Sequence, residues 1–201
     1  MEEINQDIFN LLDPQPAPSR GSLLVAKPTV VGGCFARSVI VVVDHDAEKG
    51  TMGVIANLNS GYTLHDVLPD VPGGDDIPLY LGGPVDTNML FLLHSLGDEV
   101  IPGSVKVKGS LWFGGDFNAM RSYMATGGPV LGRVKFVMGY SGWAAGQLSD
   151  EIDRHDWAVL KDTDADALLG QEGEPMWQWA VQGFGPKYRL WLQWPKNLEA
   201  N

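Results

Sequence analysis

Gly139-Tyr-Ser-Gly-Trp-Ala-Ala-Gly-Gln-Leu148 follows a run at residues 134–137 whose Val134, Phe136 and Val137 are β-branched or aromatic. That run reads as a strand. Beyond the glycines, Ala144, Leu148 and Ile152 recur at i, i+4, i+8, one face of a helix. The segment therefore predicts a strand-to-helix turn, a place where proteins present backbone amides and side chains to ligands. Gly139, Gly142 and Gly146 permit a tight turn and a close approach. Trp143 and Gln147 stand one helical turn apart and are expected to share a face.

Working outward, Val39-Ile-Val-Val-Val43 is the other decisive run. An unbroken β-branched stretch belongs to a strand buried on both faces. Strands are expected at 22–26, 36–43 and 51–57, the last two joined as a hairpin through the polar turn Asp44-His-Asp-Ala-Glu-Lys-Gly50. Further strands are expected at 78–82, 90–94, 110–113 and near 157–160. Asp116 is placed to cap a helix running to about residue 126, with Phe117, Met120 and Met124 inward. Trp177, Ala180, Val181 and Phe184 mark one stripe of a C-terminal helix. Strands in runs with helices interspersed irregularly argue for α+β.

The chain has 201 residues, enough for one domain with a tail. Residues 1–20 read as an N-terminal segment, a short helix over residues 1–12 followed by a proline-rich linker, and 21–201 as a single domain. A net charge of −11 without a basic stripe opposes phosphate backbones, so direct nucleic-acid binding is not expected. Cys34 is the only cysteine, which excludes an intrachain disulfide and fits a reducing compartment. The acidic N-terminus has no apolar core of a secretory signal, and no run is long enough to span a bilayer. A cytoplasmic protein is expected, with no membrane association.

Chemistry is sparse. Ser141 sits in Gly-Tyr-Ser-Gly-Trp, but a nucleophile elbow needs glycine where Trp143 stands. The serine reads instead as a cap of the following helix. His45, between Asp44 and Asp46, alternates faces with them, so the three do not converge on a metal. His94 ends an apolar run with no partner visible in sequence. Gly82-Gly-Pro84 and Gly114-Gly-Asp116 match neither phosphate-loop pattern.

Several separated blocks, in order, resemble one family. They are Gly21-Ser-Leu-Leu-Val-Ala-Lys-Pro28, Phe35-Ala-Arg-Ser-Val39 with His45, Gly50 to Gly53 with Asn57, Gly82-Gly-Pro-Val85 with His94, and Gly139-Tyr-Ser-Gly-Trp143 with Gly146-Gln-Leu148. Together they resemble the YqgE/AlgH-like family of bacterial proteins. Ile101-Pro-Gly103 and Trp112-Phe-Gly-Gly-Asp116 resemble its Bacteroidetes branch. The chain departs from the family pattern at Gly32-Gly-Cys34, where an aspartate is common, and at Leu58-Asn59, where a basic residue and proline are common. The resemblance implies a single α+β domain whose bifurcated, largely antiparallel sheet curls into a partial barrel with flanking helices. It implies no established enzyme activity, and no cofactor or metal is expected. Some members carry the label of transcriptional regulator, which suits neither the charge nor the lack of a helix-turn-helix pattern.

The leading expectation is a non-enzymatic protein that binds a protein partner or small ligand. Arg37, His45, Asn57, Gly83, His94, Tyr140, Trp143 and Gln147 are its candidate recognition residues, because polar and glycine positions gather at strand ends. The alternatives are a small-molecule hydrolase with His45 or His94 as base, and a direct DNA-binding regulator.

Overall fold

Val39-Ile-Val-Val-Val43 is buried along its whole length, and two of the three apolar clusters lie on its two faces. The structure, a computed structural model, describes residues 14–71, 73–74 and 76–195. The expected helix over the first twelve residues lies outside them.

The chain opens with β1 (Leu23–Ala26), β2 (Val39–Asp46), β3 (Gly50–Ile55) and β4 (Asn59–Thr63), then a single turn α1 (Leu64–Val67). β5 (Pro78–Leu81), β6 (Val85–His94), β7 (Ser104–Lys108) and β8 (Leu111–Gly114) lead into α2 (Phe117–Ala125). β9 (Val134–Trp143), α3 (Gln147–Asp153) and β10 (Trp157–Leu160) follow, and α4 (Ala165–Gly170), α5 (Gly173–Gly183) and α6 (Arg189–Gln193) complete the described order.

The strands form one sheet in the order β10-β1-β2-β3-β9-β6-β8-β7, with β5 joined to β9 and β4 to β5. Only β5 and β9 pair in parallel among these ladders. β9 is where the sheet forks. Its first half lies between β6 and β5, with Phe136 opposite both Leu92 and Leu79. Its second half exchanges β5 for β3, with Ser141 opposite Gly53 and Trp143 opposite Thr51. The sheet is bifurcated and largely antiparallel, and it curls: Val107 and Leu111 share one apolar cluster with Leu23 and Val41. Across the gap Lys108 Nζ donates to the Lys161 carbonyl, but β7 and β10 do not pair, so the barrel stays open.

Alternation on β2 assigns its two faces. Val39, Val41 and Val43 meet Leu168, Trp177, Val181 and Trp191 of the C-terminal helical layer. Ile40 and Val42 meet Trp143, Leu148, Ile152 and Trp157 on the other side. A third cluster packs Met120 and Met124 of α2 against Leu79, Leu92 and Phe136. Asp116 caps α2 as expected, its side chain accepting from the Asn118 N–H at 2.7 Å.

Several expectations need correction. The decisive stretch is not a strand-to-helix turn throughout, because β9 runs on to Trp143 and only 144–146 turn. Its continuation follows from pairing with β3, which a local reading cannot see. Ala144 is exposed and lies before the helix, while Leu148 and Ile152 do face inward. Ser141 does not cap α3; buried in β9, it donates to the Gly82 carbonyl at 3.1 Å. Asp44, His45 and Asp46 belong to β2, so the hairpin turn shrinks to 47–49. β4, β7 and α4 match no element expected from the sequence.

Candidate functional site

The fork creates a crowded crossing. Gly82 N–H donates to the Met138 carbonyl at 2.8 Å, and the Gly82 carbonyl accepts from the Ile55 N–H at 2.9 Å. A Cβ on Gly83, which has φ +152°, would lie 2.3 Å from the Tyr140 carbonyl carbon and oxygen. A Cβ on Gly139, at φ +67°, would lie 2.8 Å from the Val85 carbonyl. Only glycine fits either place, since each couples a left-handed conformation to backbone-on-backbone contact.

Beside this crossing opens a cleft of about 300 Å³. Ser141, Gly142 and Trp143 of β9 form one side, Pro84 and Val85 another. Val30, Phe35 and Trp157 supply further apolar surface. Gln147, Glu151 and Asp156 are its polar members. Phe35 and Trp157 meet edge to face at 5.7 Å and 89°, and Trp143 and Trp157 at 6.2 Å and 85°. Glu151 ties the aromatic pair together. One of its oxygens accepts from Trp143 Nε1 at 2.7 Å and Trp157 Nε1 at 2.8 Å; the other accepts from Gln147 Nε2 at 3.0 Å. Gln147 Oε1 in turn accepts the Ala144 N–H at 3.0 Å, closing the turn. Trp143 and Gln147 thus meet through Glu151 rather than along one helical face. Trp143 is only 7% exposed, so the indole is both packed in the core and a cleft wall.

Of the eight candidate residues, Trp143 and Gln147 line this cleft, and Gly83 and Tyr140 belong to the crossing behind it. The other four lie elsewhere and bond within the molecule. Arg37, at φ +51°, is buried, binds Glu174 and the Trp194 carbonyl, and lies 4.8 Å over the Trp177 ring. Asn57 accepts the Val39 N–H at 2.8 Å and donates to the carbonyls of Arg37 and Gly173, each at 2.9 Å. His45 Nδ1 is 2.7 Å from Thr51 Oγ1 across the hairpin.

His94 is fully buried. Its Nδ1 accepts the Leu96 N–H at 3.3 Å, and Nε2 lies 3.1 Å from Ser104 Oγ, whose own proton goes to the Ile101 carbonyl. That network assigns the neutral Nε2–H tautomer. Burial pushes its pKa down to about 4, against a weaker upward pull from the Gly114 backbone.

Sequence reasoning missed a buried cation. Lys135 is 2% exposed; its Nζ donates to the Ala56 carbonyl at 2.7 Å and to that of Gln171, and sits 4.2 Å over the Tyr80 ring. Burial lowers its pKa to about 7, with Glu172 pulling the other way. Tyr80 donates to Glu172 at 2.8 Å, and burial, then that bond, raises the phenol well above its ordinary range. With Asn57 and Arg37, this cluster pins 171–174, the entry to α5, onto the sheet. The available signal was a lysine inside the apolar strand run at 134–138. Cys34 is half-buried in a short turn, and burial raises its thiol pKa, away from a reactive thiolate.

Larger hollows lie elsewhere. One of about 520 Å³ runs along α5 and α6 beside Val181, Tyr188 and Leu192. An apolar groove of about 390 Å³ runs beside Val67, Met89, Phe117 and Met138. Neither contains a candidate residue. Among the described residues no group of three His, Cys, Asp or Glu side chains is placed to hold a metal, and no helix is long and apolar enough to cross a membrane.

Comparison with known proteins places this geometry. A family model described as AlgH-like matches residues 23–189. A UPF0301 protein of Parabacteroides distasonis is 40% identical over 196 residues, covering 98% of each chain. One of Bacteroides fragilis is 37% identical over 98% of this chain and 99% of its own. The solution structure of the AlgH protein from Pseudomonas aeruginosa matches with a TM-score of 0.69 and 29% identity, covering 88% of this chain and 95% of that one. A crystal structure from Corynebacterium diphtheriae shares the fold with a TM-score of 0.75, at 24% identity over 94% of this chain and 98% of its own.

Proposed function

The chain belongs to the AlgH-like family, and we propose that this member is a non-catalytic binding protein whose ligand enters the cleft beside Trp143. One observation carries the reading. The Gly139-Tyr-Ser-Gly-Trp143 strand, its glycine crossing and the Glu151 network converge on one concave, mostly apolar space holding a few oriented polar groups. Ligand sites have that composition, and about 300 Å³ is the lower end of their size. We place the protein in the cytoplasm, on the ground of its lone free thiol.

The hydrolase alternative gains no support from the geometry. Ser141 gives its proton to a carbonyl, His94 is sealed from solvent with both ring nitrogens engaged, and His45 bonds to Thr51 at 2.7 Å. Direct DNA binding gains no support from a net charge of −11, which repels a phosphate backbone. A role in transcription would then pass through a ligand or a partner.

The test is a thermal-shift screen of a diverse metabolite set on wild type and on Val30→Trp. Val30 lines the cleft, is only partly buried and packs on the same cluster as Trp143 and Trp157, so a larger ring there occupies the space. Compounds that raise the melting temperature of wild type and not of the filled variant are expected. No such compound, or stabilisation indifferent to filling, would overturn the reading.

A further inference from the structure

We infer that the cleft selects a small organic cation with an apolar body, an alkylated ammonium; the inference rests on the binding role proposed above. Charge is the first ground. The lining carries the carboxylates of Glu151 and Asp156 and no lysine or arginine. Asp156 already has a cation, Arg154 Nε at 3.6 Å. Among the described residues, Glu151 meets only neutral donors, two indole N–H groups and one amide. Those donors hold the carboxylate in place without neutralising it. A neutral apolar ligand entering here would strip water from that carboxylate and return nothing. An anion would face two carboxylates. A cation compensates the charge as it displaces the water.

The aromatic wall is the second ground. The rings of Phe35 and Trp143 each stand almost perpendicular to that of Trp157. Both indoles are nearly buried and Phe35 is half-buried, so Phe35 is the most open of the three rings; aromatic faces carry partial negative charge and attract methylated ammonium groups. Val30, Pro84 and Val85 offer surface for the alkyl groups. Rigidity is the third. Both indoles are fixed by the same Glu151 oxygen, so walls and counter-charge are set before the ligand arrives.

Three probes of one shape separate the charge states: choline, its uncharged carbon isostere 3,3-dimethylbutan-1-ol, and the anion 3,3-dimethylbutanoate. Calorimetric titration of wild type should show choline binding about tenfold or more tighter than the alcohol, and no binding of the carboxylate. Glu151→Gln keeps an oxygen for the indoles and removes the charge, so choline's advantage should fall to about threefold or less. The wild-type comparison stands without that variant. Equal binding of choline and alcohol, lost in Val30→Trp, overturns the cation class and leaves the cleft reading intact. So does a failure of all three probes when the metabolite screen yields other compounds sensitive to filling. Failure of probes and screen together overturns both.

Discussion

Lowering the pH from 7 to 4 should destabilise this protein through one residue more than any other, His94. Its imidazole is neutral and sealed: Nδ1 is already an acceptor for the Leu96 N–H, so a proton there breaks that bond and buries a charge. Its pKa is pushed down to about 4 in the folded state, against about 6.5 in an unfolded chain. Between these values the unfolded state binds more protons, so stability rises with pH and is lost as pH falls. A tenfold difference in proton affinity is worth about 1.4 kcal/mol, so a fall from about 6.5 to about 4 amounts to roughly 3 kcal/mol by pH 4. That is a large part of a typical stability of about 5–15 kcal/mol. The assay is urea unfolding at pH 7, 6, 5 and 4 for wild type and His94→Gln. The variant starts lower, because glutamine cannot reproduce both ring bonds, but its own group does not titrate. The gap between the two curves should narrow by about 3 kcal/mol as pH falls. Asp44 and Asp66 have pKa values lowered by Arg20 and Thr63, and titrate at the acid end in both proteins alike. Parallel curves from pH 7 to 4 would refute the assignment of a buried neutral His94.

Trp143→Ala should cost about 3–5 kcal/mol in the same assay at pH 7, since a nearly buried indole is removed from the cluster of Ile40, Leu148 and Trp157; a loss under about 1 kcal/mol would mean that the ring is not a core element. Lys135→Met should destabilise by about 2–4 kcal/mol by leaving the Ala56 and Gln171 carbonyls without their donor. The folded pKa near 7 is below the unfolded value, so wild-type stability should climb with pH from 7 towards 9.5. A flat wild-type profile, matching the Met variant, would show that Lys135 keeps an ordinary pKa.

Much of the fold was legible because burial on both faces leaves a mark. Val39 to Val43 could be nothing but a central strand, and the caps and stripes of α2 and α5 were readable from Asp116 and from Trp177, Ala180 and Val181. β4 was not, since Asn59-Ser-Gly-Tyr-Thr63 is a polar edge that pairs only with β5 and is mostly exposed. β7 does alternate valine with lysine, but only two apolar residues carry the pattern, and a bulge between Lys106 and Lys108 leaves Val105 exposed while Val107 is buried. The length of β9 was hidden for a different reason. Gly139 and Gly142 read locally as a stop, yet Gly139 is the point where one strand changes partner and continues.

The candidate site divides along the same line. Arg37 and Asn57 stand out in sequence, and in the structure both hold the C-terminal helices to the sheet, working beside Lys135, Tyr80 and Glu172. Polar side chains at strand ends serve a fold as readily as a ligand, because an entering helix leaves carbonyls and amides that must be satisfied. Trp143 and Gln147 differ because their shared partner, Glu151, also lines an open space. Glu151 itself gave no sequence signal. It lies on α3, and its significance arises only when β10 brings Trp157 to its other side. A carboxylate held by neutral donors within an apolar cleft is costly to keep there. That cost singles out Glu151: it is the group in the cleft whose charge packing alone leaves unanswered.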